Sequence, residues 1–412
     1  MSRRPTVSAR GGNRVKAQAG DGKDFSRHWG LDPNVCFLNH GAFGACPLAV
    51  LEVQSDLRSR MEADPIQFLM REWEDRMDEA RAALARFVGG DLAFVPNATT
   101  GVNTVLRSLR FRPGDEVLTT DMEYNACRNA LDFAAGGSKA RVTAARIPFP
   151  VDSEQTVVQA ILDRVTPRTR LALLSHITSV PGIILPVEHL VRELQARGVD
   201  VLVDGAHAPG QVPLNLDRLG AAYYTGNCHK WLCAPKGSAF LHVRQDRQPA
   251  IRPLIISHGA NSRRTDRSRY RLEFDWTGTD DPTPYLCISA AIDFVGHLLP
   301  GGWPAVMKRN HALATEAMHI LCAALDIPEP CPSGMIGSMA TIPLPDRLAG
   351  PPSTGAERDP LQERLFREHG IEVPVASWPT PARKILRVST HLYNRAEHVE
   401  RLAEALRAML RG

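Results

Sequence analysis

Residues 201–231, VLVDGAHAPGQVPLNLDRLGAAYYTGNCHKW, carry the features from which the chemistry of this chain is best inferred. The stretch begins with a short apolar run typical of a buried strand, and that run leads directly into Asp204. A turn at residues 227–229 follows later and leads into Lys230. Ligands of parallel sheets bind where the strands end, so an acid and a lysine here are candidates for a shared site.

An acid and a lysine in these positions suit an enzyme that uses pyridoxal 5′-phosphate (PLP). The lysine amine forms a Schiff base with the PLP aldehyde. The carboxylate holds the pyridine nitrogen protonated, so that the ring can withdraw electrons from a substrate carbanion. Taken singly, each residue has a more common interpretation, since Asp204 could cap a turn and Lys230 could be an ordinary solvated lysine.

Further segments of the chain favour the enzymatic interpretation when all are taken together. In chain order they are residues 37–44 (FLNHGAFG), 97–103 (NATTGVN), 203–210 (VDGAHAPG), 229–232 (HKWL), 277–280 (TGTD) and 386–389 (LRVS). This ordered set, which spans roughly residues 31–410, resembles the class V aminotransferase-like group of fold-type I PLP enzymes. Within that group the chain is most similar to the isopenicillin N epimerase-like branch.

The resemblance implies an α/β protein with the fold of a fold-type I PLP-dependent transferase. A mostly parallel central sheet would be covered by helices, and a smaller α+β domain would follow at the C-terminus. We predict a large PLP-binding domain at residues 25–290, with the N-terminal segment, and the small domain at residues 291–412. Residues 1–24 are predicted to form a disordered basic arm.

Residues 97–100 follow an apolar strand and open a helix, which suits a phosphate dianion. Free N–H groups and the positive end of the helix dipole both point at an anion bound there. An ordinary threonine cap is the more common reading of such a sequence taken alone. The resemblance places the PLP phosphate here and makes Ala98 and Thr99 binding residues.

The resemblance also implies three further phosphate donors. These are Asn227, His229 and Thr279, the last reaching the site across a dimer interface. Asn227 departs from the family pattern, since relatives usually carry a small hydroxyl residue there. An amide can still donate a hydrogen bond, so the contact remains an expectation.

Two more residues are implied to contact the PLP ring. His207 matches the residue beside the 3′-oxygen, although a lone histidine is more often structural. Tyr124 matches the position whose ring stacks on the cofactor, where many relatives use histidine, and an isolated tyrosine is by default a core or surface aromatic. With Lys230 and Asp204, His207 completes the predicted catalytic set.

Arg387 lies in an apolar run, where a buried guanidinium needs an anionic partner. The α-carboxylate of a substrate would serve, bound by two parallel hydrogen bonds. A structural salt bridge is the alternative. Asn39 matches the other carboxylate-side contact of the family.

Composition describes an ordinary soluble globular chain: 412 residues, 43% hydrophobic and 23% charged. The net charge of +4 comes largely from the basic arm, so nothing suggests nucleic acid or a membrane surface as a partner. We expect a cytoplasmic protein without a signal peptide or membrane span. The eight cysteines should be free thiols, and the zinc site imaginable around residues 228–233 has an unusual spacing, so no metal is predicted.

Alternating strand and helix patterns run from residue 92 to residue 243 and predict a parallel sheet with both faces covered. Strands are predicted at residues 92–95, 116–120, 171–174, 201–203, 222–224 and 239–243. Residues 257–281 are predicted to form a polar, arginine-rich loop. A long helix after Pro300, a Pro/Gly/Ser-rich region at 328–356, a helix, two short strands and a last helix at 396–410 should follow.

The reaction itself stays open among several that begin on the same cofactor. Removal of the Cα proton starts epimerisation, transamination and β-elimination, and Lys230 is the natural base for it. Epimerisation also needs a donor on the opposite face, for which Tyr124, His207 or water are candidates. Cysteine desulfuration is disfavoured because residues 371–384 contain no cysteine. The alternatives are a carbon–sulfur or β-elimination lyase acting on a cysteine-derived substrate and, more remotely, a PLP-binding protein without turnover.

Overall fold

A computed structural model describes residues 24–349 and 359–411 of the chain. The described residues exclude residues 1–23 of the predicted basic arm, residues 350–356 of the region 328–356, and Gly412. The strands are β1 Cys36–Phe37, β2 Leu92–Val95, β3 Glu116–Thr120, β4 Arg141–Ala145, β5 Thr169–Ser175, β6 Asp200–Asp204, β7 Tyr223–Asn227, β8 Ala239–Val243, β9 Met339–Pro343, β10 Ile371–Glu372, β11 Val375–Ser377 and β12 Lys384–Ser389.

Fifteen α-helices are assigned within the described residues. They are α1 His40–Phe43, α2 Leu48–Ala63, α3 Trp73–Val88, α4 Ala98–Ser108, α5 Asn125–Ser138, α6 Glu154–Leu162, α7 Val187–Ala196, α8 Leu216–Leu219, α9 Arg269–Phe274, α10 Thr283–Leu286, α11 Ile288–Gly296, α12 Gly302–Leu325, α13 Asp346–Ala349, α14 Pro360–His369 and α15 Ala396–Arg411.

Seven strands form the central sheet in the order β2-β8-β7-β6-β5-β3-β4. β8 runs antiparallel to both of its neighbours, and the pairs from β7 to β4 are parallel. Both faces are buried, since Leu202 packs into one apolar cluster and its neighbours Val201 and Val203 pack into another. The expectation of a mostly parallel, doubly covered sheet is therefore confirmed.

The sequence patterns located most of the sheet but missed one strand. Each predicted strand of the sheet coincides with an observed one to within three residues at either end. β4 was not predicted, because it is an edge strand whose side chains are mostly only half-buried and which therefore lacks a continuous apolar run.

A smaller C-terminal domain is built on a second sheet with the order β11-β12-β9, on which α12 packs. β9 lies inside the Pro/Gly/Ser-rich region, where no strand was predicted. The N-terminal segment joins this part of the molecule, because β1 pairs with β10 and Asn39 bridges to Ser389. The boundary predicted at residues 290 and 291 falls within α11 and remains a prediction.

The arginine-rich segment at residues 257–281 contains more regular structure than a loop. A short 3₁₀ turn and α9 lie within it. Ion pairs tie it to α3, since Arg267 binds Glu74 and Asp78 while Asp275 pairs with the buried Arg81. Six residues are too few to produce a helical periodicity that the sequence could reveal.

None of the helices in the described part of the chain is long and apolar enough to cross a membrane. All eight cysteines are free thiols, as predicted, and seven of them are buried.

Candidate active site

A cavity of about 600 Å³ opens where β5, β6 and β7 end. The sheet register aligns Ser175 with Asp204, and Asp204 with Thr225. Eight of the predicted site residues line this cavity: Ala98, Thr99, Tyr124, Asp204, His207, Asn227, His229 and Lys230. Residues that lie more than a hundred positions apart in the chain thus meet at the carboxyl edge of the sheet.

Lys230 and His207 contact each other across the cavity floor. The Nζ atom of Lys230 lies 3.1 Å from Nε2 of His207. The indole of Trp231 can only donate, and it donates to Nδ1 of His207 over 3.4 Å. Because burial and the neighbouring Lys230 hold the pKa of His207 well below its usual value, the ring is neutral and its proton lies on Nε2.

A neutral lysine amine matches this arrangement. Desolvation, reinforced by the positive charge of Arg387, lowers the pKa of Lys230 to about 8. Above about pH 8 the amine lone pair can accept the Nε2 proton of His207, whereas the ammonium form would place two donors against each other. The site therefore presents a lysine whose neutral form, the nucleophile and base, is reached at a lower pH than in an ordinary lysine.

Asp204 ends β6 with both carboxylate oxygens engaged. One oxygen accepts the N–H of Ala206 over 2.9 Å, so Asp204 does stabilise the turn that follows it. The other oxygen accepts the thiol of Cys127 over 3.1 Å. Asp204 nevertheless lines the cavity, and the turn contact uses only one of its oxygens.

Glu123 and Cys127 lie next to Asp204, and sequence reasoning missed both. Ligand atoms of these three residues lie within 4.8 Å of one another. Burial, with a contribution from the charge of Asp204, raises the pKa of Glu123 to about 8. Burial likewise holds the pKa of Cys127 well above its usual value. Both neighbours of Asp204 therefore hold their protons at neutral pH.

The start of α4 offers one unpaired backbone donor to the cavity. Asn97 caps the helix by accepting the N–H of Thr100 over 2.8 Å. The N–H of Ala98 donates to Oδ1 of Asn227 over 2.8 Å. The N–H of Thr99 has no acceptor within the described ranges and remains available to an anion, with the helix dipole behind it.

Asn227 and His229 each use one polar side-chain atom in a hydrogen bond within the protein, which leaves the other for a ligand. Asn227 accepts from Ala98 through its oxygen, which leaves its NH₂ group as a donor to the cavity. His229 donates from Nδ1 to the carbonyl of Ser238 over 2.8 Å, and burial lowers its pKa to about 4. Its Nε2 atom can donate to a phosphate only if the ring becomes protonated, which a bound dianion would favour.

Tyr124 stands at the mouth of the cavity, with 43% of its surface exposed. It occupies the N-cap position of α5 without a capping side-chain hydrogen bond, and burial of its hydroxyl group raises its pKa above the usual value. Tyr124 is therefore protonated at neutral pH and is accessible to a molecule in the cavity.

Arg387 is buried in β12 and forms no ion pair with any carboxylate of the described residues. Nη1 donates to the carbonyl of Ser179, a cavity residue, while Nε is buried without a partner. Burial lowers the pKa of the guanidinium to about 10, so it stays charged at neutral pH. A buried cation without a counter-ion is costly, and an anionic ligand would relieve that cost.

Three predicted site residues do not line the cavity: Arg387, described above, Asn39 and Thr279. Asn39 is buried next to β12, where its Nδ2 atom donates to Glu372 over 3.1 Å and its Oδ1 atom has no partner among the described residues. A carboxylate would need an N–H at that position, which requires the opposite amide orientation. Thr279 is exposed in the segment before α10 and does not line the cavity of this chain.

These groups fit PLP. The volume suits a small cofactor with its substrate. Thr99 N–H and the Asn227 amide offer donors for a phosphate, Asp204 offers a negative charge for a pyridinium, and Lys230 offers an amine for an aldehyde. Sequence reasoning had not assigned the other cavity-lining residues, which include Ser175, Ser179, Lys236 and Phe43. Ser175 directly follows the strand predicted at residues 171–174, a signal that could have identified it.

Comparison with known proteins gives a consistent result. Residues 37–328 match the family model described as aminotransferase class-V. The chain is 34% identical over 396 residues to an isopenicillin N epimerase of Streptomyces clavuligerus, covering 92% of this chain and 96% of that protein. It is 29% identical to a probable chloroplastic L-cysteine desulfhydrase of Arabidopsis thaliana, covering 94% of this chain and 85% of that protein.

Solved structures share the fold. The cystine C–S lyase C-DES, in complex with cysteine persulfide, superimposes with a TM-score of 0.74 at 22% identity, over 91% of this chain and 98% of that one. At this identity the likeness concerns the fold alone.

Proposed function

Since the chain belongs to the class V aminotransferase family of PLP-dependent enzymes, we propose that it transforms an amino acid or amino-acid-derived substrate at Cα or Cβ, in the manner of an isopenicillin N epimerase. The observation that carries this proposal is that Arg387 is buried and has no carboxylate partner among the described residues. Its positive charge lies close enough to Lys230 to lower the pKa of the lysine amine. A carboxylate held by Arg387 would bring the adjacent Cα toward the lysine amine.

Each group of the chain has a definite task in this proposal. Bound PLP would supply the electron-withdrawing ring that lets a Cα–H bond break. Asp204 would hold the pyridine proton, and Arg387 would orient the substrate through its carboxylate. Lys230 would take the Cα proton, and His207 would hold the lysine amine in place through the 3.1 Å contact.

A lyase acting on a cysteine-derived substrate is the second candidate. It is supported by the desulfhydrase relative, which covers most of the chain. It uses the same groups, because loss of the Cα proton precedes loss of a sulfur group at Cβ. A persulfide-forming desulfurase is disfavoured, since residues 371–384 lack a cysteine. A PLP-binding protein without turnover is more remote still, because Lys230, Asp204 and Arg387 are all present.

A panel of L-amino acids tests the proposal. The PLP-loaded protein is incubated with each of them, with L-cysteine, L-cystine and isopenicillin N included, and the change in its absorbance is recorded with the products. Inversion at Cα without loss of the side chain supports an epimerase. Sulfide, pyruvate and ammonia support the lyase. If no amino acid changes the spectrum, the proposed function is wrong.

Arg387→Lys should lose about a hundredfold or more in kcat/KM. Lysine keeps the charge but cannot form two parallel hydrogen bonds to a carboxylate. A hundredfold loss corresponds to roughly 2.7 kcal/mol of transition-state stabilisation. Cofactor content should change little. Steady-state kinetics and the thermal midpoint are measured on the same preparation.

The exposed Arg383, in the turn just before β12, provides a matched control. Arg383→Lys should leave kcat/KM unchanged. If Arg387→Lys lowers only the thermal midpoint and the folded protein keeps its kinetic constants, Arg387 has a structural role. The substrate then need not carry an α-carboxylate.

We further propose that the chain acts as a homodimer with shared active sites. Large apolar side chains are exposed near the cavity and in a loop, with Phe43 75%, Ile255 62% and Ile256 60% exposed. A second copy of the chain would cover such surfaces. Thr279, exposed here, would then reach the phosphate site of the partner, as the family resemblance implies.

Sedimentation of the active enzyme checks this prediction. A dimer of about twice the 45.3 kDa chain mass is expected at assay concentrations. Ile255→Asp should shift the equilibrium toward monomer and reduce activity in parallel. A monomer with full turnover would rule out the shared site.

The cytoplasm is the compartment that we propose for this enzyme. The eight free thiols support it, because a reducing environment keeps such groups from pairing.

A further inference from the structure

A buried aromatic and sulfur cluster packs behind the turn that carries Lys230. His40 stacks on His391 with ring centroids 4.3 Å apart, and its ring centre lies 4.8 Å from that of Trp231. Cys233 approaches both histidines, at 3.5 Å from Nε2 of His391 and 3.9 Å from Nε2 of His40. His40, Cys233 and His391 lie outside the cavity lining, and neither the cofactor nor the substrate roles proposed above use them.

The hydrogen bonds of His40 fix its tautomer. Nε2 lies 3.0 Å from the backbone carbonyl of Lys230, which can only accept, so Nε2 carries a proton. Burial and the neighbouring His391 hold the pKa of His40 well below its usual value, so the ring is neutral. Nδ1 is therefore an acceptor and receives the hydroxyl of Tyr393 over 2.7 Å.

This tautomer argues against a metal site at His40, Cys233 and His391, although their ligand atoms lie within 4.8 Å of one another. The Nε2 atom of His40 has no lone pair to offer, since it donates to Lys230. Burial also holds the pKa of Cys233 well above its usual value, so the thiolate that a metal prefers is not favoured.

The short helix α1 is wedged between the lysine turn and β12. A Cβ atom on Gly44 would lie 2.2 Å from the carbonyl oxygen of His229 and 2.9 Å from Cα of Lys230. A Cβ atom on Gly41 would lie 2.9 Å from Oγ of Ser389 and 3.5 Å from Nη2 of Arg387. The backbone of residues 41–44 thus touches both the lysine turn and the strand that carries Arg387.

We propose that His40 is a positioning residue, which holds the backbone of Lys230 through its Nε2 proton and is itself held in the required tautomer by Tyr393. The inference rests on the proposed function, in which Lys230 is the PLP-binding lysine and the base. Its consequence is that the position of the amine relative to His207 and Arg387 depends on one hydrogen bond from the N-terminal segment.

Glutamine and asparagine separate this role from simple packing. The amide nitrogen of His40→Gln can occupy the place of Nε2 and still donate to Lys230. The amide of His40→Asn matches Nδ1 instead and cannot reach that carbonyl. We expect the glutamine variant to keep kcat within about threefold, and the asparagine variant to lose roughly tenfold to a hundredfold in kcat with little change in KM.

A second measurement uses the apoprotein and does not depend on turnover. Only the neutral lysine amine attacks an aldehyde, and the amine is neutral above its pKa. The rate of PLP capture should therefore rise with pH through a midpoint of about 8 in the wild type and in His40→Gln. In His40→Asn the released turn lets water reach the amine, so the midpoint should move up toward the ordinary lysine value.

Tyr393→Phe removes only the hydroxyl that holds the tautomer, and should shift kcat and the capture midpoint in the same directions by smaller amounts. The proposal is overturned if asparagine matches glutamine in both measurements, if Tyr393→Phe shifts neither quantity, or if the variants lose thermal stability alone. Covalent PLP retained by Lys230→Ala would instead remove the proposed function, so the two failures are distinguishable.

Discussion

Lys230→Ala should lower kcat/KM by roughly 10⁴-fold, the upper range for loss of a positioned acid or base. The amine that would attack the aldehyde and take the Cα proton is absent from this variant, and the cavity offers no amine beside His207 to replace it. PLP should still enter, because the phosphate donors and Asp204 remain. Borohydride treatment followed by peptide mapping measures whether PLP is covalently attached.

Lys236 is the matched control for this experiment. It also lines the cavity, but its Nζ atom donates to the carbonyl of Gly44 over 3.0 Å. Lys236→Ala should retain the covalent attachment at residue 230. If the Lys230→Ala protein still attaches PLP covalently, with the absorbance maximum of the wild type, Lys230 has been assigned wrongly.

Asp204→Ala should lower turnover on the order of a thousandfold while retaining some PLP. The magnitude is the upper range for removal of one preorganised electrostatic group. Without the carboxylate the pyridine nitrogen is not held protonated, and a neutral ring withdraws electrons poorly. The measurement is kcat together with the cofactor content after dialysis.

Asp204→Asn separates the two contacts that this residue makes. The asparagine oxygen can still accept the N–H of Ala206, so the turn and the thermal midpoint should be preserved. The charge is lost, so turnover should fall nearly as far as in the alanine variant. Near wild-type turnover in Asp204→Asn would mean that the residue only caps the turn.

The electrostatics of this position depend on neighbours that no motif reveals. Glu123 keeps its proton up to about pH 8, because burial and the charge of Asp204 raise the pKa of its carboxyl group to about 8. Burial likewise keeps Cys127 protonated, so that its thiol donates to Asp204. Both lie on or just before α5, a helix that the sequence analysis did not single out.

The sequence by itself determined the layered architecture and the position of the cavity. Continuous apolar runs such as residues 171–174 and 201–203 require burial on both faces, which only a covered parallel sheet provides. Asp204 directly follows one such run, and Asn227 and Lys230 come just after another. Since the carboxyl ends of neighbouring parallel strands meet at one edge, their convergence follows from local pattern and topology.

The tertiary structure alone decided which donors and charges remain free at that edge. Nothing local shows that Ala98 donates to Asn227, that Arg387 lacks a carboxylate partner among the described residues, or that His40 holds the carbonyl of Lys230. The hydrogen bonds of Ala98, Arg387 and His40 join residues 129, 208 and 190 positions apart in the chain. Periodicity reports which face of an element is buried, whereas hydrogen-bond partners and desolvation depend on how distant elements pack together.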